Sequence, residues 1–313
     1  MTDLLRSADR WLRDALLAGG HDRAVEWSDG QVAQLAAGGV EPAAFAQTLS
    51  LASRFGPRGA LAPGEAACAE ASELLPGWNP ERWTGLEAVR VRLILARALA
   101  DPAGLAEAVE EAFRYADEGE LCALYRSLQF LPDPERFRWR AGEGCRTNMM
   151  SVFEANACDT AYPAAQLDEV AWRQLCVKAL FIGAPLWRVS GFDGRVDAEL
   201  GRMALDLVDE RRAAGRSISP ELWLCLSGEP TERALEALNV ELEGDDELSR
   251  RGAALALGRL GCHDRLREVE ASCEGALGET ARLALAGHHH QAAFGAVSIP
   301  EGATPTTPTA TAD

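Results

Sequence analysis

Glycine and proline pairs cut this chain into short stretches, and that punctuation limits the fold more than any other feature. Gly19-Gly20, Gly38-Gly39, Gly56-Pro57, Pro63-Gly64 and Pro132-Asp133-Pro134 fall between apolar-periodic runs. Residues 3–18 place Leu4, Leu5, Ala8, Trp11, Leu12, Ala15 and Leu16 on one helical face. Helical stretches are expected at about 22–37, 41–55 and 64–75. A stronger one spans 83–100, with Leu86, Val89, Leu93, Leu95 and Ala96 inside. Asp101-Pro102 reads as the start of the next helix, and another follows at about 119–129. No run alternates as a half-buried strand would, and Val and Ile are sparse. The expected fold is all-α: an array of antiparallel helical hairpins, α-solenoid-like.

Towards the C-terminus the pattern repeats. Ala253-Ala254-Leu255-Ala256-Leu257-Gly258 resembles Ala281-Arg282-Leu283-Ala284-Leu285-Ala286, 28 positions on. Small residues at that spacing let adjacent helices approach closely, so a HEAT-like repeat pair is expected. Residues 298–313, SIPEGATPTTPTATAD, hold little to bury and are expected to be disordered. The expected organisation is an N-terminal helical array (1–140), a central helical region (141–226), HEAT-like helices (227–291) and a tail (292–313).

A chain of 313 residues can bury one large core or two ordinary ones. Its net charge of −17 argues against nonspecific nucleic-acid binding and against docking on anionic lipid. The eight cysteines form no C-x-x-C pair and lie mostly in apolar surroundings, which reads as reduced thiols in a cytoplasmic protein. The N-terminus shows no basic segment followed by an apolar run, so no signal peptide is expected. No stretch is long enough for a membrane span.

The central region carries the polar residues of interest. Leu167–Leu186 is apolar nearly all round, which marks a core helix. Trp172, Leu175, Cys176, Ala179 and Gly183 share one face, while Val170, Val177 and Phe181 cover much of the rest. Lys178 is the only lysine among thirty arginines, and Gln174 stacks one turn before it. An earlier helix from Arg146 to Glu154 carries a polar stripe of Asn148, Ser151 and Glu154. If the two helices face each other, Arg146, Asn148, Glu154 and Lys178 form a buried cluster, with Glu154 the partner of Lys178. Three readings stay open. The cluster fixes helix packing, it lines a small-molecule pocket, or it activates the lysine for amine chemistry. Asp193-Gly194-Arg195 reads as a loop, either an exposed surface turn or a place where Arg188 and Arg195, beside Trp187, bind an anionic group or a partner carboxylate.

Other constellations are weaker. His288-His289-His290 on a helix would fan out by about 100° per residue and could not converge on one ion. No metal site is expected there, and no cofactor motif, phosphate loop or nucleophile elbow is present.

Several of these residues also carry a family resemblance. Arg146-Thr147-Asn148, Val152-Phe153-Glu154-Ala155, Tyr162-Pro163, Ala171-Trp172, Gln174 and Lys178-Ala179-Leu180-Phe181 stand in the order of the EboA family. Pro185-Leu186, Asp193, Arg195, Glu210-Arg211, Ala214-Gly215-Arg216 and Ser219-Pro220-Glu221-Leu222-Trp223 continue it. The stretch resembles that family over roughly 144–226. Asn156, Asp197 and Cys225-Leu226-Ser227 depart from its pattern. The resemblance implies a cluster of genes for making or exporting small secondary metabolites. Its neighbours there are a prenyltransferase-like membrane protein, a metal-dependent hydrolase-like protein and sugar-phosphate-enzyme-like proteins. The expected function is a cytoplasmic accessory or scaffold protein that binds a pathway intermediate or a partner enzyme. The alternative is an enzyme acting on a small metabolite through the Arg/Asn/Glu/Lys cluster. Candidate ligand-binding residues are therefore Arg146, Asn148, Glu154, Trp172, Gln174, Lys178, Asp193 and Arg195, with no cofactor.

Overall fold

A computed structural model describes residues 2–298. The tail expected to be disordered lies outside the described residues from position 299 on. Among those described the fold is all-α; the one β feature is an isolated bridge between Ala60 and Thr84. The chain divides into two compact units, Met1–Trp172 and Arg173–Asp313. The division falls inside the expected central region. Its first half goes with the preceding helices because its own helices are too short to bury a core alone.

The first unit runs through α1 (Thr2–Ala18), α2 (Asp22–Ala36), α3 (Pro42–Leu51), α4 (Glu65–Leu74), α5 (Gly85–Ala100) and α6 (Leu105–Tyr115). It continues with α7 (Glu118–Ser127), α8 (Arg138–Gly144), α9 (Met150–Ala157) and α10 (Tyr162–Gln166). Helix α5 is its centre, buried from Gly85 to Ala98 and packed against α1, α2 and α7. Its start is set by a capping box. The Thr84 hydroxyl accepts from the Glu87 backbone N–H, and the Glu87 carboxylate accepts from the Thr84 N–H. Asp101 ends α5; its carboxylate accepts from the Gly104 N–H at 3.0 Å, so α6 begins at Leu105 and not beside Pro102.

A helix buried all round should be apolar, yet α5 carries Arg90, Arg92 and Arg97 inside. Each is neutralised. Arg92 donates to Asp9, Ser28 and Asp29 at 2.8, 2.6 and 2.8 Å. Burial works to raise Asp29, but hydrogen bonds from Arg13 and Arg92 outweigh it and hold the carboxyl below its usual range. Arg97 pairs with Asp101, and Arg90 reaches Glu120 and the Leu49 carbonyl. These pairs fix which residues of α1, α2, α3 and α7 meet α5, since a misplaced helix would strand a buried charge.

Helix α11 (Glu169–Ile182) starts at the end of the first unit, and its residues from Arg173 on belong to the second. The second unit continues with α12 (Ala198–Ala213), a 3-10 turn at Pro220–Cys225, and α13 (Glu232–Leu242). Then come α14 (Glu247–Arg259), α15 (His263–Ser272) and α16 (Gly275–Leu285). Asp197, Thr231 and Asp246 cap the starts of α12, α13 and α14. Helices α13 and α14 pack as one hairpin and α15 and α16 as another, with α14 also against α16. The 28-residue spacing maps the first residue of α14 onto that of α16, and these two helices pack against each other.

Helix α14 also crosses the Pro220–Cys225 turn, and Gly252 makes that crossing possible. A Cβ there would stand 2.8 Å from the Pro220 carbonyl oxygen and 3.1 Å from its Cα. Both are backbone and cannot swing aside. Gly252→Ala is expected to destabilise the protein by about 2 kcal/mol in a denaturant melt, despite alanine's better helix propensity. Wild-type stability would mean that the two segments separate freely.

The folded chain also runs past position 291, where the tail was expected to start. Gln291–Ala296 form a 3-10 turn that buries Phe294, and Val297 is buried behind it. Ser298 donates to the buried Glu221 carboxylate at 2.7 Å. Phe294 and Val297 are three apart, one turn of a 3-10 helix, too short a signal for periodicity to reveal.

Candidate functional site

The sequence-derived candidates are divided between the units. In the first, Arg146 is exposed and paired with Glu143 at 2.5 Å. Asn148 is also exposed and lies before α9, which starts only at Met150, so the expected helix from 146 is corrected. Thr147 explains the delay, because its hydroxyl accepts the Met149 N–H and closes a local turn. Ser151 of the expected polar stripe turns to Glu118 on α7. Glu154 is half-buried on α9, and Trp172 is buried.

In the second unit Gln174 is exposed and Lys178 half-buried. The Lys178 ammonium stands 5.9 Å from the ring centroid of Phe181, which is 62% exposed. Helix α11 therefore buries the stripe of Leu175, Cys176, Ala179 and Leu180 and leaves an apolar ring outside. The core helix read from its apolar circumference is covered on one side only. The Asp193 carboxylate accepts from Arg259 at 2.6 Å and from the Gln291 N–H at 2.8 Å. The Gln291 amide in turn donates to the Trp187 and Val189 carbonyls, both at 3.0 Å. Asp193 thus fastens its loop to the C-terminal turn; Arg195 beside it is half-buried.

Two residues that the resemblance left aside, Asn156 and Asp197, have clear structural work. Asn156 is buried against α8, donating to the Ala141 carbonyl at 3.0 Å and to the Cys145 sulfur at 3.4 Å. Asp197 caps α12 and pairs with Arg173, whose hydrogen bond holds its carboxyl below the usual range.

A larger opening lies in the first unit, at residues with no local mark in the sequence. A groove of about 550 Å³ runs between α3 with its following 3-10 turn, α6 and α7. Ala43, Ala46 and Ala112 leave the room, because larger side chains there would close the gap between α3 and α6. Its apolar surface comes from Leu49, Leu51, Leu124 and Tyr115, the last 72% exposed. Gln47, Ser50, Ser53, Arg54, Glu111 and Glu120 supply polar groups. Glu120 is held rigid by the Asp117 N–H at 3.0 Å and by Arg90 at 3.4 Å. Arg90 is itself fixed to the Leu49 carbonyl, so one buried guanidinium ties two walls of the groove together.

Burial pushes the Cys122 and Cys145 thiols up to about 11, far from the thiolate a nucleophile needs at neutral pH. Among the described residues no group of three His, Cys, Asp or Glu is placed to hold a metal ion. No described helix is long and apolar enough to cross a membrane.

The first unit thus combines an all-α scaffold, an open groove and two buried, protonated thiols. The family described as metabolite traffic protein EboA matches residues 7–227, and the chain belongs to that family. The match includes all of the groove and extends well beyond the 144–226 stretch of spaced identities. Helices α13 to α16 fall outside it. No curated protein and no solved structure matches the chain.

Proposed function

We propose that this protein is a cytoplasmic accessory protein that holds a small metabolite in the groove between α3, α6 and α7. The observation that carries the proposal is the groove's volume of about 550 Å³, inside the family-matched residues and within the range of small-molecule sites. Its lining suits a molecule with one apolar face, laid on Tyr115 and Leu51, and hydrogen-bonding groups directed at Gln47, Ser50 and Glu120. An open, half-exposed site that keeps its cargo without reacting fits traffic between enzymes better than turnover. The recipient in this reading is a partner enzyme of the same pathway, and the stacked α13–α16 hairpins are a HEAT-like surface for it.

The test is native mass spectrometry of protein purified from its own cell. The wild-type chain is expected to retain a small molecule. Ala46→Trp should fill the groove from a half-exposed position and release it, with the melting temperature unchanged. A wild-type chain that retains nothing, or an Ala46→Trp chain that retains the same mass, would sink the proposal.

A further inference from the structure

A second cavity, in the second unit and beyond the family-matched residues, has a different chemistry. It measures about 280 Å³ and opens beside the end of α16. Its floor is apolar, made by Leu255, Leu283, Ala293 and Val297; Arg251, Thr280, His288 and His290 supply its polar side.

Both histidines reach it because the backbone there is not helical. Helix α16 ends at Leu285, and Gly287 takes φ +92°, a conformation that L side chains rarely adopt. His288 and His290 line the cavity while His289 packs on Gly258. The histidine run expected to fan out around a helix is instead split two to one.

Arg251 is the decisive group. Its Nε donates to the Thr280 hydroxyl at 3.0 Å, and that hydroxyl donates to the Ala276 carbonyl at 2.7 Å. The guanidinium is thereby oriented, and among the described residues its terminal nitrogens make no hydrogen bond. Among the described residues no carboxylate forms an ion pair with it, in a chain that carries 48 acidic residues. Its neighbour Arg259, by contrast, is paired with Asp193. A half-buried, oriented guanidinium without a carboxylate beside an apolar floor matches a molecule that brings its own anion.

We propose that this cavity binds a small amphiphilic carboxylic acid, its carboxylate on Arg251 between His288 and His290 and its apolar body over Leu255, Leu283 and Val297. The volume has room for about nine water-sized groups at ~30 Å³ each, which sets the ligand near the size of octanoate.

The test is calorimetric titration of the full chain with octanoate, beside 1-octanol, which has the same body without the charge. Octanoate is expected to bind at one per chain and 1-octanol at least about tenfold more weakly, as loss of a charge-assisted contact predicts. Arg251→Met should weaken octanoate by a similar factor. Ala293→Trp, at a half-exposed position, should abolish binding by filling the cavity, and it keeps the test open if Arg251→Met does not fold. Ala46→Trp in the other unit should bind octanoate like the wild type, so this proposal and the groove proposal fail separately. No binding at about millimolar octanoate, equal binding of 1-octanol, several equivalents per chain, or full binding by folded Arg251→Met or Ala293→Trp would each overturn it.

Discussion

Trp78→Ala is expected to lower the stability of the first unit by about 4 kcal/mol, the middle of the range for removing a large buried aromatic side chain. Trp78 is fully buried and is the hub of four aromatic rings. It meets Trp11 of α1 edge-on at 5.0 Å and Phe130 at 4.9 Å, and lies 6.1 Å from Trp83, just before α5. Trp11 extends the hub to α4 by donating to the Ala67 carbonyl. Removing the indole opens a cavity that these rings cannot all collapse into, because they belong to different elements. Trp78→Phe separates packing from polarity. It keeps most of the ring and removes an indole N–H that meets no acceptor among the described residues. Its cost should be nearer 1 kcal/mol, since less volume is lost and the orphaned donor goes with it. A denaturant melt followed by circular dichroism measures both. A Trp78→Ala protein within about 1 kcal/mol of the wild type would show that the cluster fills space without holding the helices together.

The helical class was legible because it depends on local signals. The Gly-Gly pairs do end α1 and α2, and the amphipathic face read over residues 3–18 is the buried face of α1, with Leu5, Ala8, Trp11, Leu12 and Leu16 inside. What stayed hidden depends on partners far along the chain. Arg90 and Arg92 in α5 look like a solvated edge, and nothing nearby shows that Asp9, Ser28, Asp29 and Glu120 will neutralise them. The groove is hidden for the same reason. Its walls come from residues 43–54 and 111–124, each unremarkable until α3 packs on α6. Lys178 attracted notice as the lone lysine of an apolar stretch, but hydrophobicity does not say which side of a helix is covered. Phe181, equally apolar, lies outside. The resemblance was clearest where spaced Arg, Asn, Glu and Trp residues make identities informative. The Ala- and Leu-rich helices before residue 140 fall inside the same family match but carry few such distinctive residues.

The α5–α7 contact offers the second large effect, and it tests whether buried charge sets the geometry of the groove. Arg126 on α7 donates to Glu87 on α5 at 2.8 Å, and both side chains are less than a tenth exposed. The same carboxylate accepts from the Thr84 N–H at 2.6 Å and from its hydroxyl at 2.9 Å, so it starts α5 and anchors α7 at once. The Arg126 guanidinium also lies over the Trp83 ring, 5.3 Å from its centroid. Arg126→Met keeps the stem and most of the packing on Trp83 but strands the carboxylate. The expected cost is about 3 kcal/mol, the low end for breaking a buried pair, because Thr84 still satisfies part of Glu87. Adding Glu87→Gln removes the stranded charge, and the double variant should recover at least about 1 kcal/mol relative to Arg126→Met alone. Since α7 carries Glu120 and Leu124 of the groove, the double variant should also regain whatever small molecule the single variant fails to retain. Chemical denaturation of the four proteins of this cycle gives the coupling directly. If the double variant is no more stable than Arg126→Met, the loss lies in the guanidinium's own packing, and the carboxylate is not what holds α7 against α5.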